Sequence, residues 1–228
     1  RALILPLFFV AIPMGLIIEQ PDLGTGLIIL FLFISMAYLS NVKLRYILVL
    51  LFSILLFMPF AWHFLRDYQK DRLMVFLNPD IDPLGAGYTV IQSKIAIGSG
   101  GFWGKGWLAG TQSQLRFLPE AHTDFIFATF SEEWGLLGGI VLLLLYYLLI
   151  RRGFLIAQRT RDHFGKLMAF GISLLLSLQV MINIAMNMGF APIVGIPLPL
   201  MSYGGSSMFV TFIALGILAN IDKRRSVF

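Results

Sequence analysis

The sequence predicts an all-α integral membrane fold, a polytopic bundle of six transmembrane helices with one long structured loop outside the membrane. Three observations carry this. First, of 228 residues 58% are hydrophobic and only 13% charged, where a soluble domain carries about 25% charged residues. Second, the apolar residues are blocked into near-continuous runs: Ala2–Ile18, Leu23–Leu39, Tyr46–Leu65, Trp134–Ile150, Leu167–Phe190 and Gly205–Ile221. Each is close to the ~20 residues a helix needs to cross ~30 Å of hydrocarbon. Third, the charges fall between the runs or at their ends. Strands would cross in ~10-residue alternating segments, which are absent.

The first three runs are separated by the short turns Glu19–Asp22 and Asn41–Arg45. Lysine and arginine cluster on alternate connections. One side holds eleven basic residues (Arg1, Lys43, Arg45, Arg151, Arg152, Arg159, Arg161, Lys166, Lys223, Arg224 and Arg225) against the acids Asp162 and Asp222. The other side holds six basic and ten acidic residues. The positive-inside rule therefore predicts that both ends of the segment are cytoplasmic and that the loop 66–124 is outside. The basic clusters set orientation and do not point to nucleic acid. The chain starts at Arg1 and enters a run directly, without the charged leader and cleavage site of a signal peptide; the expectation is that an N-terminal part of a longer protein precedes it. With no cysteine, disulfides and thiol chemistry are excluded. Residues 1–228 read as one membrane domain.

The long loop is not disordered by composition, because Tyr88, Phe102, Trp103, Trp107, Phe117 and Leu118 are spread through it. Asn78–Gly87 is turn-forming, and Tyr88–Ile97 is expected to form a short surface helix. The charges Arg66, Asp67, Lys70, Asp71 and Arg72 look like an interfacial anchor. Gly98–Gly106 lacks the spacing of a phosphate loop, since Ser99 stands where the first glycine belongs; its glycines serve turning or close approach. Thr123 is expected to N-cap a helix that begins at Asp124 and continues through Ser131–Glu133 into the fourth run. The uncharged, Pro/Gly-rich stretch 189–207 is a second candidate for a functional cavity, since irregular backbone at membrane depth must be buried or line a wet space. Gln179, Asn183 and Asn187 share one face of the fifth run, where interhelical hydrogen bonding or lining of a groove is expected.

Seven ordered motifs look like those of one known family: Gln20–Thr25, Asp82–Tyr88, Gln92–Gly101, Gly104–Gly106, Gly110–Gln114, Phe117–Phe127 and Pro197–Ser207. Over essentially its whole length the chain resembles the SEDS family (RodA/FtsW/SpoVE) of membrane-embedded cell-wall polymerases, and Lys94 with Gly104-Lys-Gly106 looks more like its RodA branch. The resemblance implies ten spans, of which this chain would carry the last six. It also implies an inverting peptidoglycan glycosyltransferase of the bacterial inner membrane. Such an enzyme polymerises lipid II into undecaprenyl-pyrophosphate-linked glycan during cell elongation, with a class B penicillin-binding protein and other elongation-machinery membrane proteins as partners. Lipid II flipping and a scaffold role for the transpeptidase are the alternatives.

Carried onto this sequence, the resemblance makes Asp124 the general base. Glu120 and His122 would tune it or orient the acceptor sugar. Lys94, Lys105 and Arg116 would meet the pyrophosphate, with Gln112 as a further contact. Backbone amides at Ser202, Tyr203, Gly204, Gly205 and Ser206 precede the sixth run and suit an anion. Glu120-x-His122-x-Asp124 is weak evidence for a metal cage; a divalent cation such as Mg or Mn bridging the pyrophosphate fits better.

Overall fold

The structure is a computed structural model that describes residues 4–20, 22–78, 81–82, 85–115 and 117–225. The described residues contain helices and no strands. Every predicted apolar run is occupied by a helix: α1 (Ile4–Glu19), α2 (Leu23–Leu39), α3 (Leu44–Phe64), α7 (Ile126–Arg159), α8 (His163–Asn187) and α9 (Gly205–Arg225). The loop contributes α4 (Asp67–Leu77), α5 (Ala86–Ser99) and the single turn α6 (Thr111–Gln114). Three helices are long and apolar enough to cross a membrane, Ile126–Arg159, His163–Asn187 and Gly205–Arg224; Leu5–Ile17, Leu23–Leu39 and Leu44–Phe60 are shorter apolar segments. In α7 the large side chains Ile140, Leu144 and Leu145 are more than half exposed. A helix apolar on its outer face as well as its inner one belongs in lipid.

The chain divides within α4 into two compact units, residues 1–73 and 74–228. In the first, α2 packs against α1 and α3. Its start is set by Asp22, whose carboxylate accepts the Thr25 amide at 3.0 Å and the Thr25 hydroxyl at 2.6 Å, an N-cap worth about 1 kcal/mol.

In the second unit α7 and α8 form the central pair, with α5 on both and α9 closing one side. Apolar clusters follow one another along it: Ala96, Leu118, Ala121, Phe125 and Ala128 at the loop end, then Phe127, Tyr146, Val180 and Leu198, then Ile156, Ala157, Ala169 and Leu218. The stretch 189–203 is non-helical, as its composition predicts, and is tied down in two places by backbone carbonyls. Tyr146 Oη donates to Pro199 O at 2.5 Å and Asn183 Nδ2 to Ile196 O at 2.8 Å.

The predicted start of the fourth run, Trp134, falls one residue before a sharp break. Gly135 has φ 65° and ψ −165°, a conformation essentially reserved for glycine, so α7 is two helical segments joined at a kink. A break frees backbone groups that hydrocarbon cannot satisfy, and the glycine-rich loop supplies their partners. Lys105 N and Gly106 N donate to Glu132 O and Glu133 O, both at 3.0 Å; Leu136 N and Leu137 N donate to Gly101 O at 2.9 Å and Phe102 O at 3.2 Å. A Cβ at Gly135 would overlap Gly104 N. Gly135→Ala is therefore expected to destabilise the protein by at least ~1–3 kcal/mol, read as a lowered melting temperature in detergent.

The helix expected to begin at Asp124 begins instead at Ile126, with Phe125 at its N-cap and no side-chain cap. Thr123 is not the cap: its hydroxyl turns back to Glu120, donating to the carbonyl oxygen (3.3 Å) and to Oε2 (3.0 Å). Asp124 accordingly lies before the first helical turn rather than in it.

Candidate functional site

Three consecutive backbone carbonyls organise the segment before α7. His122 O accepts from Tyr203 N at 2.8 Å. Thr123 O accepts from Ser202 Oγ at 2.6 Å, and that hydroxyl in turn accepts from Leu198 N at 2.7 Å. Asp124 O accepts from both Asn183 Nδ2 and Asn187 Nδ2, each at 2.9 Å. Asn187 Oδ1 also accepts the Ala128 amide at 3.2 Å, and Ser93 Oγ of α5 donates to Asn187 O at 2.7 Å. Ser93, Asn183 and Asn187 are fully buried. Of the polar face foreseen on the fifth run, Asn183 and Asn187 thus make hydrogen bonds to neighbouring segments, and their shared acceptor is the main chain of Asp124. Clamping the carbonyls fixes the backbone, so the side chains of His122 and Asp124 are carried on a rigid support.

Below the clamp, Phe125 is 3% exposed and packs on Ala96, Leu118, Ala121 and Ala128. Thr129 Oγ1 donates to Ala121 O at 3.2 Å. The Asp124 side chain is half-buried and meets the 189–203 stretch: a Cβ at Gly195 would lie 3.6 Å from Asp124 Oδ2. Lys94 approaches the same stretch from α5, because a Cβ at Gly189 would overlap its Cε. Glu120, His122 and the 81%-exposed Tyr203 line one open cavity of about 480 Å³, walled by residues 118–123. Asp124 follows directly on that wall.

Lys105 and Gln112 gather elsewhere, around a residue that the sequence reading passed over. Glu132 is 0% exposed. Its Oε1 accepts from Lys105 Nζ at 2.7 Å, Thr111 N at 2.8 Å, Thr111 Oγ1 at 3.0 Å and Gln112 N at 3.1 Å. A buried carboxylate is tolerable only when paired and hydrogen-bonded in this way. The signal for it was an acidic pair in an apolar helix, where an ionisable group marks an interior partner. Gly205 and Ser206 begin α9, and Gly204 directly precedes it, its carbonyl accepting from Met208 N at 3.0 Å. Arg116 lies outside the described residues. Among the described residues, no group of three or more His, Asp or Glu could hold a metal ion, so Glu120, His122 and Asp124 form no protein cage.

Asn187→Leu keeps the volume but strips the Ala128 amide and one donor from Asp124 O. The expected cost is ~1–3 kcal/mol for the buried groups left unpaired, measurable as a lowered melting temperature.

The family model described as a cell cycle protein (FtsW, RodA, SpoVE) matches residues 1–227. The peptidoglycan glycosyltransferase MrdB of Escherichia coli K12 is 50% identical over 97% of this chain and 60% of its own length. MrdB of Helicobacter pylori is 45% identical over 97% of this chain and 57% of its own. A solved peptidoglycan synthase complex that coordinates polymerization and crosslinking contains a chain with a TM-score of 0.78 and 36% identity, over 97% of this chain and 61% of that one. The rod shape determining protein RodA of Thermus thermophilus matches with a TM-score of 0.63 and 28% identity, over 97% and 56%. The chain therefore spans about 60% of the length of the curated relatives it matches. Its apolar helices and these relatives make it a multi-pass membrane protein. The chain belongs to the FtsW/RodA/SpoVE family.

Proposed function

We propose that this chain carries the reaction centre of a peptidoglycan glycosyltransferase that polymerises lipid II, with Asp124 as general base. The observation that supports this most is the clamp. Tyr203, Ser202, Asn183 and Asn187 hold the carbonyls of residues 122–124; the Asp124 carboxylate stands beside Gly195, one residue beyond the wall of a cavity lined by Glu120, His122 and Tyr203.

In the proposed step a sugar hydroxyl of the acceptor attacks the anomeric carbon of the donor. The C–O bond to the lipid pyrophosphate breaks with inversion, and the hydroxyl proton passes to Asp124. Glu120 and His122 orient the acceptor in the cavity. Lys94 neutralises charge growing on the departing pyrophosphate. The Lys105 ammonium and the main-chain amide of Gln112 are engaged by Glu132 and hold the loop. The Ser202 and Tyr203 amides are taken by Leu198 O and His122 O, which leaves the amides of residues 204–206 as the contact for the pyrophosphate. Both ends of the segment face the cytoplasm, and the loop 66–124 works on the outer face of the inner membrane. A class B penicillin-binding protein fits as partner, since the similar solved chain belongs to a complex that joins polymerization to crosslinking.

The test is labelled lipid II supplied to the purified protein with its transpeptidase partner. Glycan ladders that disappear with Asp124→Asn support the assignment. Movement of lipid II between leaflets without polymer would identify a flippase, and undiminished ladders from the variant would leave Asp124 a structural residue.

A further inference from the structure

A second cavity lies at the opposite end of the α7–α8–α9 bundle from the clamp. Its volume is about 620 Å³, within the range of small-molecule sites. It sits where the α7–α8 turn and the first turns of α8 meet the last turns of α9. Its apolar part is made by Phe164, Met168, Ile217 and Ile221, and its charged part by Arg161 and Arg224.

Beneath it the wall is firmly built. Ile156, Ala157, Ala169 and Leu218 are buried together, with Ile221 packed against them. The one acidic group in the lining, Asp162, is committed to the fold: its Oδ2 accepts the Gly165 amide at 2.7 Å and caps α8. Arg161 and Arg224 are exposed. By contrast Arg152, at the same end of α7, is paired with Asp222 at 3.0 Å.

We propose that this cavity binds the phosphate headgroup and first acyl carbons of an anionic phospholipid. The chemistry of the lining selects that occupant. Two guanidiniums suit a phosphodiester, which they can meet with paired N–H donors. A free anion would use only those groups and leave Phe164, Met168, Ile217 and Ile221 facing water. A lipid of net negative charge, which joins a phosphate to hydrocarbon, satisfies both halves of the lining, whereas the choline of a zwitterionic lipid would set a further cation beside Arg161 and Arg224. Basic pockets between transmembrane helices bind such headgroups, and the cavity opens at the ends of helices long enough to cross a membrane. The site stands apart from the Asp124 chemistry and does not depend on it.

The purified protein, exchanged into zwitterionic detergent, is titrated with phosphatidylglycerol or phosphatidylcholine, and retained lipid is counted by native mass spectrometry. Phosphatidylglycerol is expected to be retained and phosphatidylcholine not. Arg161→Gln with Arg224→Gln is expected to weaken retention roughly thirtyfold, the scale of two lost charge–headgroup attractions. Met168→Trp, which fills the apolar half without changing charge, is expected to weaken it as well. Arg151→Gln with Arg159→Gln, which removes equal charge from outside the cavity, is expected to leave it unchanged, and millimolar inorganic phosphate is expected not to displace the lipid. Equal retention of the two lipids would overturn the proposal, as would full retention by the Arg161/Arg224 or Met168 variants. Equal loss in the Arg151/Arg159 control would reduce the effect to general surface charge. Displacement by inorganic phosphate would assign the cavity to a free anion instead.

Discussion

Asp124→Asn is expected to lower lipid II polymerisation by about 10²–10⁴, the contribution typical of a positioned general base. Asparagine has nearly the shape of aspartate and retains the backbone carbonyl that Asn183 and Asn187 hold at 2.9 Å, so the clamp survives the substitution. Stability should then change by no more than about 0.5–1 kcal/mol, the range for substitutions that leave packing intact. The two readouts separate the roles. A catalytic carboxylate loses turnover at constant melting temperature, whereas a structural one loses both together. The measurements are glycan chain formation from labelled lipid II and thermal unfolding of the same preparation.

The second large effect falls on the Lys105–Glu132 pair. Lys105→Met leaves the Glu132 carboxylate, 0% exposed, without its counter-charge. Stranding a buried charge costs about 3–5 kcal/mol, much of the total stability of an ordinary domain. Glu132→Gln acts differently. Lys105 retains 28% of its side-chain exposure and can turn to water, but the amides of Thr111 and Gln112 lose a charged acceptor. The double variant is expected to be less destabilised than the sum of the two, because each single change leaves the other partner unsatisfied. Strict additivity in a double-mutant cycle of thermal unfolding would show that the pair is not coupled. Loosening here also frees residues 100–112, which stitch the kink at Gly135, so slower polymerisation is expected in both single variants.

Much of this was legible from local sequence. The apolar runs marked where the six long helices lie, because hydropathy over a window is additive and lipid rewards it wherever it occurs. The spacing of Asn183 and Asn187 showed a shared polar face for the same reason, since helical periodicity is a local property. The start of α7 was misplaced because a threonine before an apolar run is an N-cap only if its oxygen stays with its own helix. Here the neighbouring Glu120 takes its hydroxyl, and Ser202, a partner that no local window contains, takes the Thr123 carbonyl.

What the sequence by itself determined is the multi-pass membrane character, the clustering of basic residues on alternate connections, and the short list of polar residues outside the apolar runs. Tertiary structure alone decided how those residues divide. It set Asp124 on a backbone fixed by α8 and the 198–203 turn, gathered Glu120, His122 and Tyr203 around one cavity, and bonded Lys105 and the main-chain amide of Gln112 to Glu132. The physical reason is that burial follows from each residue's own chemistry and its near neighbours. A hydrogen bond to a freed carbonyl or a buried carboxylate instead needs a partner from a distant part of the chain, and only the packed helices choose which.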